Sequence, residues 1–99
     1  MHATIGDFSW ALLRLKDGAK VARHGWHGKG MFVYLVQGNE VSVPNLRNEA
    51  LKHVGMNRAT ADKVRINSHI DMKAADGSIV VGWLASQTDM LAEDWEEIE

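Results

Sequence analysis

Phe8, Ala11, Leu12 and Leu15 recur at i, i+3, i+4 and i+7, the spacing of one apolar helical face. Thr4 or Asp7 can cap the start of that helix, and Lys16-Asp17-Gly18 supplies a stop, with Gly18 free to turn left-handed. Trp10 and Leu13 fall on the opposite face. A helix apolar on two sides is expected to be sandwiched, between sheets or against a neighbouring subunit.

The remaining pattern is that of strands. Lys20–Arg23 reads as a short strand, and Met31–Val36, rich in β-branched and aromatic residues, as the strongest one. Between them Gly25, Gly28 and Gly30 predict a loop. Gln37-Gly38-Asn39-Glu40 predicts a turn into Val41-Ser42-Val43, making a hairpin-like unit. Leu46, Ala50, Leu51 and Val54 have helical spacing that Gly55 can end, and Asn57–Arg65 reads as a mobile or partner-facing loop. Ile70 and Met72 alternate in a strand that turns at Ala75-Asp76-Gly77 and returns through Ile79-Val80-Val81. Ser86–Ala92 predicts a short helix and Trp95–Ile98 a final edge strand. The expected fold class is α+β, one main N-terminal helix packed on antiparallel β-hairpins. It forms a single domain over 1–99 with a variable middle at about 44–67.

Four tryptophans, five methionines and two phenylalanines in 99 residues are more bulky apolar groups than a small monomer hides easily, which predicts an oligomer. The formal net charge of −2 argues against a DNA or RNA binder, which needs clustered excess cation. With no cysteine, disulfides and thiolate metal sites are excluded. No apolar run approaches a membrane span, and Met1-His2-Ala3-Thr4 does not begin a secretory signal, so a cytosolic protein without a membrane partner is expected.

Two segments carry candidate chemistry. Trp83-Leu84-Ala85-Ser86-Gln87-Thr88-Asp89, running on to Trp95, brackets hydroxyl, amide and carboxylate groups with indoles, a composition suited to a flat, sugar-bearing molecule. Arg23-His24-Gly25-Trp26-His27-Gly28-Lys29-Gly30 places a third tryptophan among glycines and cations, where backbone amides and a lysine can cradle phosphate. Its spacing is not that of a P-loop, and a strand rather than a helix follows it. Glycines at such a corner are commonly structural, but a tryptophan at an exposed loop tip has little packing to do. His24 and His27 offer two metal ligands with only His69 or Asp71 as further donors, a weak set. Asp89, Glu93, Asp94, Glu96 and Glu97 read as a solvated acidic face before they read as an acid/base pair, and no Ser/His/Asp arrangement is evident. No cofactor is implied.

The runs Lys20–Phe32 and His69–Val80, the latter continuing through Trp83 to Trp95, resemble the N- and C-terminal motifs of the Thoeris anti-defense 2 proteins, a phage family. The resemblance covers all but the variable middle. It implies a non-enzymatic sponge in the host bacterial cytoplasm. Such a protein binds, without cleaving, the cyclic ADP-ribose isomer (glycocyclic ADP-ribose) made by Thoeris TIR enzymes. It also implies a homotetramer, a dimer of dimers, with pockets between subunits, and in some members separate sites for the cyclic dinucleotides of CBASS. For such a ligand Trp26 is expected to stack on adenine, with Trp83 or Phe32 closing the other side. Arg23, Lys29 and the amides around Gly28 and Gly30 are expected at the diphosphate, and Ser86, Gln87, Thr88 and Asp89 at ribose hydroxyls. Trp95 is expected to pack rather than touch ligand. Arg58, Lys63 and Arg65, near Lys52, are the dense cation group where a second, cyclic-dinucleotide site would lie; the plainer reading is a solvated basic loop. His27 stands where the family commonly has asparagine, and Val81-Gly82 where a proline-containing segment is familiar; both bear on ligand preference. Two rival classes remain, a small enzyme that degrades the cyclic signal and a protein–protein inhibitor that docks through exposed tryptophans.

Overall fold

The first helix begins where its cap dictates. Asp7 stays extended, and its carboxylate accepts from the Trp10 N–H at 2.8 Å, satisfying one of the donors a helix start leaves free. The computed structural model describes residues 4–55 and 63–99, and in it α1 spans Phe8–Lys16. Arg14 and Lys16 occupy the last turn, where cations favour the helix dipole, and Gly18 follows at φ +92°. Ala11 and Leu15 are buried, Phe8, Trp10 and Leu12 pack beside them, and Leu13 remains 53% exposed. Of the two expected arrangements, the sandwich between sheets is not found among the described residues: Trp10 joins the same core as Phe8, and Leu13 faces outward.

The chain forms two compact units, Met1–Val36 with His69–Glu99, and Gln37–Ser68. The first holds an antiparallel five-stranded sheet in the order β6-β5-β2-β1-β7. Its strands are β1 Lys20–Arg23, β2 Phe32–Val36, β5 His69–Lys73, β6 Ile79–Val80 and β7 Trp95–Ile98. Registers Val21↔Val33 and Val33↔Met72 place three buried residues side by side on the face that meets α1, closed by Trp95. The alternating residues Lys20, Phe32, Tyr34, Asp71 and Lys73 point to the other face. The hairpin expected at Asp76-Gly77 is present: Ala74 N–H donates to Ser78 at 2.8 Å, and the Asp76 carboxylate accepts from the Ser78 N–H and hydroxyl. Those two bonds hold the Asp76 carboxyl below its ordinary range. The edge position expected for β7 is also observed.

The second unit corrects the middle of the sequence reading. β3 (Asn39–Ser42) pairs with β4 (Lys63–Ile66), not with β2. Strand β2 has both edges occupied by β1 and β5, so a local hairpin has no edge to join. Gly38 seals the β3–β4 closure. Its N–H donates to Ser68 Oγ at 2.9 Å, and a Cβ there would lie 2.2 Å from the Ile66 carbonyl oxygen. Lys63 and Arg65, expected in a mobile loop, thus lie on a paired strand. Arg58 lies outside the described residues. The predicted helix at Leu46–Val54 is shorter and tighter in its hydrogen bonding at first, with α2 at Asn48–Ala50 running into a wider turn at Leu51–Gly55.

Candidate functional site around three indoles

Trp95 opens β7, is 2% exposed, and organises the site. Its ring lies 5.3 Å from Trp26 and 6.2 Å from Trp83, and those two are 6.1 Å apart. All three pairs meet at steep angles of 75–87°, the edge-to-face geometry that sets a positive ring edge against a negative ring face. Phe8 closes the inner side at 5.6 Å. Trp95 therefore packs, as expected. The accessible aromatic surface belongs to Trp26 and Trp83, both half-buried.

The segments presenting these rings are fixed by backbone bonds. The glycine-rich connection is not an open loop but a 3-10 turn over His24–Lys29, which folds Trp26 back onto the core. This corrects the expectation of an exposed tip tryptophan: a run that looks free in sequence is tightly wound. Gly28 and Lys29 are exposed on it. Trp83 donates its N–H to the Ile70 carbonyl at 2.7 Å, while the preceding Gly82 N–H donates to Asp71 Oδ1 at 3.0 Å. Asp71 is buried at 6% exposure and also lies 3.5 Å from His69 Nε2. Gly82 sits at φ +78°, a left-handed turn that glycine adopts freely.

A polar frame borders the indoles. Arg23 Nε donates to Asp94 Oδ1 at 2.7 Å and its Nη1 to Asp89 Oδ1 at 2.9 Å. The second Asp89 oxygen accepts from the Ser86 N–H at 3.3 Å, and Ser86 Oγ accepts from the Asp89 N–H at 3.0 Å. This reciprocal capping box starts α3 (Gln87–Leu91). Gln87 and Thr88 are exposed on its first turn. The hydrogen bond from Arg23 holds the Asp94 carboxyl below its ordinary range, and the two carboxylates raise Arg23 in return.

Of the residues expected at a ligand, Trp26, Trp83, Arg23, Ser86 and Asp89 converge here, with Gln87 and Thr88 adjacent. Phe32 does not: it lies on the opposite sheet face, beside Tyr34 at 6.0 Å. Arg23 and Asp89 satisfy one another rather than standing free. Asp94, which the sequence suggested was part of a solvated acidic face, anchors Arg23; Glu97 likewise binds Arg14 at 2.8 Å and Glu96 lies 2.6 Å from His24. Asp71 was not foreseen in its supporting role. Its one legible signal was a carboxylate alternating into a strand between Ile70 and Met72. Among the described residues, no group of three or more His, Asp or Glu side chains gathers to hold a metal, and no helix is long and apolar enough to cross a membrane.

A family model for the Thoeris anti-defense 2-like domain matches residues 6–98. The protein Thoeris anti-defense 2 of Bacillus phage SP01 is 36% identical over 90 residues, which cover 91% of each chain.

Proposed function

The chain belongs to the Thoeris anti-defense 2-like family, and from that premise we propose that it is a phage anti-defense sponge. It works in the host bacterial cytoplasm, holding the cyclic ADP-ribose isomer signal of Thoeris without cleaving it. The observation that carries this reading is the preformed indole cluster: Trp26 and Trp83 present half-buried ring surface over a rigid Trp95 floor, framed by Ser86, Gln87 and Thr88. A base stacked on such a ring gains about 1–3 kcal/mol, and a receptor already ordered loses little freedom on binding. Sequestration then lowers free signal by mass action.

For the rival reading of a degrading enzyme, the Arg23 hydrogen bond that lowers Asp94 suits a general base rather than a general acid, which at neutral pH needs a raised pKa. Exposed apolar side chains, with Leu84 at 90%, Leu91 at 77% and Val81 at 71%, support assembly into the proposed dimer of dimers. Cyclic dinucleotides of CBASS are a second proposed ligand class, at Lys63, Arg65 and Arg58.

Calorimetric titration with glycocyclic ADP-ribose tests binding, and heating the complex then identifies what is released. Intact ligand is expected. A cleaved product would establish the enzyme instead, and absence of binding would favour a protein–protein inhibitor. Light scattering on the purified protein is expected to give the tetramer mass.

A further inference from the structure

The proposed signal carries a diphosphate, yet Arg23, the guanidinium expected to meet it, is already shared by two carboxylates. The indole side of the sheet thus offers that ligand more negative than positive charge at Arg23.

The opposite face differs. Lys20 Nζ lies 4.9 Å and Lys73 Nζ 5.8 Å from the centre of the Phe32 ring, both within cation–π range. Strand β2 runs between β1 and β5, so the two lysines reach the ring from opposite flanks. Lys73 is directly across from Phe32 in register. Neither lysine has a carboxylate within ion-pair distance among the described residues. Lys73 is further steadied by donating to the Gly30 carbonyl at 3.2 Å. Two like charges at one ring repel each other, and the ring quadrupole offsets only part of that. A short, multiply charged anion can meet both ammonium groups and remove the repulsion.

We infer that Lys20, Phe32 and Lys73 form a binding site for a diphosphate-bearing nucleotide, with the lysines on the phosphate oxygens and the ring beneath them. The anion chemistry stands on these three residues; the identity of the natural ligand rests on the sponge reading.

NMR titration of the full chain with pyrophosphate, ADP and adenosine tests this. Pyrophosphate and ADP are expected to shift the amides of Lys20, Phe32 and Lys73, and adenosine to leave them unmoved. Lys20→Gln and Lys73→Gln should each weaken ADP about tenfold, the scale of one charged hydrogen bond, with thermal midpoints confirming that both variants fold. Lys20→Arg should restore binding, and added salt should weaken it. Shifts centred on Arg23 and Lys29, or unchanged affinity in both glutamine variants, would overturn the site. If the wild type ignores the cyclic signal but pyrophosphate still moves Phe32, the sponge reading falls and this site stands. If pyrophosphate and ADP bind the double glutamine variant as they bind the wild type while the cyclic signal is still held intact, this site falls and the sponge stands.

Discussion

The Trp95 indole N–H donates to the Asp89 backbone carbonyl at 2.9 Å, so the buried centre of the aromatic cluster and the helix bordering it are one mechanical piece. Trp95→Ala should cost about 3–5 kcal/mol, as expected for emptying a large aromatic site. Trp95→Phe, which keeps a ring but loses the donor, should cost about 1–2 kcal/mol. In a domain of this size each kcal/mol lowers the thermal midpoint by about 4–8 °C. A melting curve for Trp95→Phe that superimposes on the wild type would contradict this view.

Arg23 links Asp94 and Asp89 to β1, and its removal should show in the pH dependence of stability. The folded Asp94 carboxyl is depressed mainly by the Arg23 hydrogen bond. Its contribution is therefore present above the unfolded aspartate value of about 4 and is lost as pH falls through the lower folded value. Arg23→Gln should be less stable at neutral pH, by about 1–3 kcal/mol, chiefly because Asp89 loses its partner at 15% side-chain exposure. It should also lose less stability between about pH 4 and 2. Urea titrations across that range measure both. Equal acid slopes in the two proteins would remove the assigned role.

Much of this frame was legible and much was not, for a physical reason. The Asp7 cap, the α1 stripe, the Asp76-Gly77 turn and the Ser86 helix start are set by neighbours within a few residues, so local spacing reveals them. Arg23 meets partners 66 and 71 residues away, and nothing near Arg23 marks which of the late carboxylates it chooses. Strand β3 overlaps the strand read at Val41–Val43 but begins at Asn39, inside the expected turn, and ends at Ser42, and its partner depends on β2 having both edges filled. Trp26 misleads because glycines signal freedom, whereas here they permit a tight 3-10 turn that carries the ring inward.

Asp71 should control how Trp83 is presented. Asp71→Ala leaves the Gly82 N–H without its acceptor and should cost about 1–3 kcal/mol, with a red-shifted tryptophan emission as Trp83 gains water. Asp71→Asn keeps an acceptor oxygen and should restore most of both. Gly82→Ala, forced to φ +78°, should cost about 1–2 kcal/mol. Emission spectra identical across the three variants would refute the link.

Gly38→Ala should act on the second unit alone. The added Cβ meets backbone atoms of Ile66, Asn67 and Ser68, which cannot swing aside as a side chain would. Amide exchange in β3 and β4 should accelerate while Val21, Val33 and Met72 stay protected. Unchanged exchange at Val64 would show that the closure tolerates a methyl group.

The pairing of β7 with β1 has a consequence for synthesis. Val21 pairs with Glu97, and Arg23 with Trp95, so the inner strand waits for residues made more than seventy positions later. Until the ribosome has released Trp95 to Ile98, α1 has no complete surface to settle on. Folding of this unit is consequently held back until β7 has emerged, and a nascent chain stalled before Trp95 exposes its apolar stripe to chaperones and proteases.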